Sequence, residues 1–145
     1  MADNPEQLVR KAIDCINAHD LDTYATLHGD DFELTDTATG ETFRGPEGAR
    51  KNMEGWFTPF PDANVEVVNL VAADEWVVVE AIGRGTHTGP LPSPEGEVPA
   101  TGKSITLPFC STLRVRDGKA VSGRDYYNLA AVMMQLGLLP ELGAH

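Results

Sequence analysis

An α+β domain, an antiparallel sheet with helices packed on one face, is the fold this 145-residue sequence predicts. Three observations carry that reading. Apolar residues recur at helical spacing near the start, again over residues 45–57 and once more near the end. Between them, most clearly over residues 65–127, the period changes to two. The strands of that region also follow one another in succession, which implies an antiparallel sheet. The length fits a single domain over residues 1–145, with room for one continuous core and one pocket.

Asn4-Pro5-Glu6-Gln7 predicts a helix start, with a capping side chain, proline at the first helical position and Gln three residues after the cap. Leu8, Val9, Ala12, Ile13 and Ile16 then form one apolar stripe reaching about Ala18. A second short helix is expected from Leu21 to His28, with Leu21, Tyr24 and Leu27 on one face. From Asp31 the alternation of Phe32 and Leu34 predicts a strand, and Thr42-Phe43 a short returning one. Gly45-Pro46-Glu47 opens a third helix whose buried stripe is Ala49, Met53, Trp56 and Phe57, and Pro59 and Pro61 end it. Val65–Val71 and Trp76–Thr86 are β-branched, apolar strands. Residues 83–102 hold five Gly and four Pro and predict a long loop. Ser104–Arg116 alternates, Asp117-Gly118 marks a hairpin, and Val121–Tyr127 runs back beside it. Asn128 caps a last helix carrying Leu129, Val132, Met133 and Leu136, which Gly137 ends.

Charge and cysteine usage narrow the partners. The chain has 22 Asp and Glu against 11 Lys and Arg, a net charge of −11. No nucleic-acid partner and no anionic membrane surface is expected, since both need clustered basic residues and these are scattered. No apolar stretch approaches the ~20 residues of a membrane span. Met1-Ala2-Asp3-Asn4 does not lead through a basic region into an apolar run, so no signal peptide is expected. Cys15 and Cys110 match neither a zinc spacing nor a Cys-x-x-Cys pair, and free thiols in a reducing cytoplasm are expected.

The segments "INAHDLDTYATLHGDDFEL", "RGPEGARKNMEGWFTPFPD", "GTHTGP", "PATGKSI" and "RDYYNLAAVMMQLGLLP", in that order, resemble the SnoaL-like polyketide cyclases of the NTF2-like superfamily, and the likeness spans nearly the whole chain. The resemblance implies a cystatin-like α+β cone: a curved antiparallel sheet with three N-terminal helices and a short C-terminal helix, enclosing an apolar cavity. It further implies a sheet carboxylate that acts as general base without metal or organic cofactor. Members of the superfamily are commonly dimers, and an exposed sheet face would suit a homodimer.

Strand parity selects the carboxylate. The odd positions Ile105, Leu107, Phe109, Leu113 and Val115 are apolar, so the odd face points inward, and on the returning strand it carries Gly123, Asp125 and Tyr127. Matching two odd faces needs a three-residue connection or a bulge at Gly118, which sets Asp125 opposite Ser111 and Tyr127 opposite Phe109. Burial should raise the Asp125 pKa toward neutrality and suit it to proton transfer. Asp125 also falls where "RDYYN" matches the catalytic-acid motif of the family. The bland alternative is an acid paired with Arg124 or Arg114. Asn128 stands where many family members carry Asp; an amide cannot act as a base, so a helix cap is its expected role.

His87, at the mouth of the Pro/Gly loop, is a candidate donor to a carbonyl or enolate, against the commoner case of an exposed loop histidine. No metal site is expected. Met53, Trp56, Phe57 and Tyr24 are candidate cavity walls, with Phe109 and Ser111 from the sheet. Asp36 and Glu80 are reserve carboxylates. The expected activity is acid–base catalysis on an apolar small molecule, of cyclase or isomerase type, through an enolate, with Tyr127, Ser111 or His87 steadying the oxyanion. Leu107, Phe109 and Ser111 stand where anthracycline-forming cyclases carry polar ligand contacts. The alternatives are an epoxide hydrolase, for which Arg84 is the nearest water-orienting group but lies on the even face, and a passive binding or dimerisation module of the same fold.

Overall fold

A computed structural model describes residues 4–93 and 96–139. Ten elements follow in order: α1 (Pro5–Asn17), α2 (Leu21–Thr26), β1 (His28–Asp36), β2 (Thr42–Arg44), α3 (Gly45–Phe57), β3 (Asn64–Ala73), β4 (Trp76–Thr86), β5 (Ser104–Arg116), β6 (Lys119–Tyr127) and α4 (Leu129–Gln135). The strands form one sheet in the order β2-β1-β6-β5-β4-β3. The capping box at Asn4 and Gln7 forms with bonds of 2.8 and 3.2 Å. Asn128 accepts from the Ala131 amide at 3.0 Å and caps α4.

The sheet departs from the antiparallel expectation at one place, where β1 and β6 pair in parallel. These strands are joined through β2, α3 and three further strands, so no hairpin dictates their direction. A register shift within this pair, another at Val68 between β3 and β4, and a third at Val121 between β5 and β6 bend the sheet. The last corrects the expected bulge at Gly118. Asp117 and Gly118 form a two-residue turn with φ of 53° and 74°, and Val121 is the extra residue. Ala120, rather than Val121, is consequently the buried residue at that end of β6.

Two other boundaries move. The second helix ends at Thr26, and His28 opens β1 with its ring buried. β4 runs to Thr86, so the long connection begins at His87 rather than at residue 83. Gly83 and Gly85 belong to the strand, and Phe60 packs directly over Gly85, where a Cβ would meet it at 2.9 Å. The connection is tied at its base by His87 N–H to Lys103 O and Gly102 N–H to His87 O, both 2.8 Å. Pro94 and Glu95, part of the predicted loop, and Met1–Asp3, part of the reading of the N-terminus, lie outside the described residues.

The helices cover the concave face. One core cluster joins α1, α2 and α3 to the sheet through Leu8, Val9, Tyr24, Phe32, Ala49 and Val79. A second, smaller one packs Val132 of α4 and the helix's C-cap Leu136 on Phe60, Ile105 and Leu107. β5 outruns β6 here, and Gln135 takes over the vacated pairing, accepting from Thr106 N–H at 2.8 Å and donating to Thr106 O at 3.0 Å. Asn17 does the same for the free edge of β3 at Val65. Among the described residues no helix is long and apolar enough to cross a membrane.

Candidate active site

Between the two clusters lies a cavity of about 180 Å³. Met53, Trp56 and Phe57 of α3, Tyr24 of α2, and Phe109, Ser111, Asp125 and Tyr127 of the sheet all line it, whereas the candidates His87, Asp36 and Glu80 do not. The register across β5 and β6 sets Asp125 opposite Ser111 and Tyr127 opposite Phe109, as parity required.

Ser111 Oγ donates to Asp125 Oδ1 at 2.6 Å. Burial pushes the Asp125 carboxyl up to about 6, the Ser111 bond works against that shift, and the charge of Asp36 adds to it. Asp36 is the register partner of Asp125 across the parallel β1–β6 pair. Thr37 fixes this junction, its N–H and hydroxyl both donating to the Asp125 carbonyl at 3.0 and 2.6 Å. Arg114 pairs with Glu75 at 3.0 Å and Arg124 lies exposed on the outer face, so neither is placed to neutralise Asp125 from within the cavity.

Tyr127 takes a different place from the one expected of an oxyanion donor. Its hydroxyl donates to Asp36 Oδ2 at 2.7 Å, while Asp36 Oδ1 accepts from Ala38 and Thr39 N–H at 3.0 and 3.2 Å. Burial and the adjoining Asp36 carboxylate push the phenol well above its ordinary range, so it keeps its proton and spends it on Asp36. Asp36 is buried but outside the cavity wall, a holder of Tyr127 rather than a reserve base. The tyrosine ring meets Trp56 edge-on at 5.4 Å.

His87 is neither exposed nor part of the cavity wall. It is fully buried beside Phe60, and its Nδ1 faces Thr101 Oγ1 at 2.9 Å and Thr101 N–H at 3.2 Å. An amide N–H can only donate, so Nδ1 is the acceptor and the imidazole anchors the base of the long connection. Glu80 is exposed and accepts from Asn69 at 2.6 Å. Arg84 borders the cavity, but its guanidinium pairs with Glu66 at 2.8 Å.

Two buried polar residues of the cavity wall, Asn52 and His28, escaped the sequence reading. Asn52 is buried on α3 with no hydrogen-bond partner for its carboxamide among the described residues. Its signal was a polar residue at helical spacing from Ala49 and Trp56. His28 is buried as well, and its signal was even parity with Phe32 and Leu34. Tyr24 lines the same space; burial raises its phenol, and the charge of Asp125 acts in the same direction. Among the described residues no group of three or more His, Cys, Asp or Glu side chains is arranged to hold a metal ion.

A six-stranded curved sheet closed by helices over an apolar cavity is the ketosteroid isomerase-like, or NTF2-like, fold, shared with a protein of that fold from Catenulispora acidiphila (24% identity, TM-score 0.76, covering 94% of this chain and 96% of that one). Residues 6–136 match the model of the SnoaL-like polyketide cyclases, and the chain belongs to that family. It is similar to AclR of Streptomyces galilaeus, a candidate hydroxylase (25% identity, TM-score 0.80, 97% of this chain and 89% of that one). It is also similar to IdmH of Streptomyces antibioticus, a candidate polyketide cyclase (26% identity, TM-score 0.76, 93% and 99%). No curated protein matches the sequence. Family and structural likeness together support an enzyme of the NTF2-like fold.

Proposed function

We propose that the protein is a cofactor-independent acid–base enzyme that removes a proton from an activated C–H of a small apolar molecule, in a cyclisation or isomerisation through an enolate. The carrying observation is Asp125: a carboxyl on an apolar cavity wall, raised to about 6, so that it takes and returns a proton near neutral pH. Ser111 occupies Oδ1, which leaves Oδ2 for the substrate. As the C–H proton passes to Oδ2, the electron pair moves into the neighbouring carbonyl. The enolate then either takes the proton back at another carbon or attacks a second carbonyl, whose alkoxide takes it. Ser111 and Tyr127 spend their protons on carboxylates. The Tyr24 hydroxyl and the Asn52 carboxamide are therefore the donors this reading assigns to the oxyanion.

The cavity volume favours a one- or two-ring molecule, since about 150 Å³ of apolar space takes one benzene. Epoxide hydrolysis is less favoured because Arg84 is held by Glu66. Asp125→Asn is expected to lower turnover at least about 100-fold while the ligand still binds. An unchanged rate on a substrate turned over by the wild type would refute the base, and binding without turnover by the wild type would leave a passive module.

The proposal includes a homodimer through the outer sheet face. Val71 and Val78 are cross-strand partners there, with Trp76 beside them, and Val71 and Trp76 are 62% and 48% exposed. Light scattering should give twice the chain mass, falling to the monomer in Trp76→Glu/Val78→Lys. A wild type that stays monomeric at tens of micromolar would exclude this assembly.

A further inference from the structure

We propose that His28 supplies the acceptor for a ligand hydroxyl, so that the cavity takes a hydroxylated one- or two-ring compound whose O–H lies at the end remote from Asp125. This rests on the cavity being the ligand site. Tyr24 O lies 2.9 Å from His28 Nδ1 and can only accept, so Nδ1 carries the hydrogen. Burial holds the ring well below its ordinary value, at about 4, against the opposing pull of that carbonyl. At neutral pH the imidazole is therefore uncharged and Nε2 presents a bare lone pair. Among the described residues Nε2 bonds to no protein group, although the residue is only 6% exposed and lines the cavity.

The ring is held for this purpose on both sides. Tyr24 packs against it at 4.7 Å between centroids and Phe32 meets it edge-on at 4.5 Å. A lone pair so fixed, and open to the cavity rather than sealed in the packing, is placed to accept from a ligand. It cannot serve a carbonyl or an anion, which need a donor.

Position gives the spacing. His28 is the register partner of Ala120, and Asp125 lies five residues further along β6. That is roughly 15 Å of strand, less once both side chains lean inward, and a two-ring skeleton with a hydrogen bond at one end spans it. The site thus has two unlike ends, a proton-exchanging carboxyl and a neutral acceptor, with apolar walls between.

The test titrates 2-naphthol and 2-methoxynaphthalene, near-isosteres with and without a donor, into the full chain at pH 7. The expected result is about tenfold tighter binding of 2-naphthol, a gap that closes in His28→Phe, and an upfield move of the His28 Nε2 ¹⁵N resonance with 2-naphthol only. Equal affinities in the wild type, a gap that survives in the variant, or a resonance unmoved at saturation would overturn the inference and leave the Asp125 chemistry standing. Failure of both compounds to bind the wild type would overturn the cavity reading with it. If His28→Phe does not fold, the wild-type resonance decides alone.

Discussion

At the scale of single residues, the Ser111 hydroxyl sets how acidic Asp125 is. It donates to the ionised carboxylate and holds the pKa below the value that burial and Asp36 would otherwise impose. The base role proposed for Asp125 requires the ionised carboxylate, so on that reading kcat/KM should rise with pH and level off above about 6. Ser111→Ala removes the opposing bond, so the same rise should move to higher pH, with the high-pH plateau little changed. A pH profile that does not move would show that Ser111 only fills space. Asp125 and Ser111 were legible because period-two alternation fixes which face a strand residue occupies. Tyr127 was placed correctly on that face, yet its partner Asp36 was not foreseen. The bond joins residues 91 apart through a parallel pairing, and strand alternation carries no information about which distant strand will lie alongside.

At the scale of elements, the segment from Thr58 to Phe60 and the start of the long connection form one unit. Thr88 and Gly89 N–H both donate to Pro59 O, at 3.2 and 3.1 Å, and a Cβ at Gly89 would fall on the Thr58 carbonyl oxygen. Backbone cannot retreat as a flexible side chain can, so Gly89→Ala should cost about 2–4 kcal/mol in denaturant melts. Gly96→Ala, on the same connection with open space around it, serves as the control, although its φ of 113° adds strain of its own. A Gly89→Ala protein as stable as wild type would mean the loop docks otherwise. Helix limits and hairpins were readable from caps and turn residues such as Asn4, Asn128 and Asp117-Gly118. The end of β4 was not. Gly83 and Gly85 look like loop composition, but Gly85 is there because Phe60 lies across the strand, a tertiary cause that composition does not reveal.

At the scale of the whole molecule, two buried groups oppose one another as pH changes. Asp125 keeps its proton in the fold up to about 6, whereas the unfolded chain releases it near 3.8, so through this group acidification from pH 6 to 4 favours the fold. His28 refuses a proton down to about 4, whereas the unfolded chain accepts one near 6.5, so through this group the same acidification disfavours it. Each effect is worth roughly 3 kcal/mol over its full range, and they nearly cancel. Wild-type stability should therefore vary little between pH 6.5 and 4.5. Asp125→Asn removes one side of the balance: it should be more stable than wild type at pH 7–8 and lose that advantage steadily on acidification. Parallel stability curves for the two proteins, followed by thermal melts, would show that Asp125 is not desolvated as described.

Val121 has a consequence out of proportion to its chemistry. It touches nothing catalytic, yet it changes the count of residues along β6 by one, and in a strand an odd change of count exchanges the two faces. Were Val121 to pair in step instead of standing out as the extra residue, Asp125 would stand opposite Cys110 on the outside of the sheet, and Arg124 and Tyr126 would turn toward the apolar interior. The site is thus encoded partly as arithmetic. A change that straightens this bulge while keeping every residue, remote from the cavity and invisible to any tally of catalytic residues, would turn Asp125 out of the cavity and leave every functional side chain in the sequence.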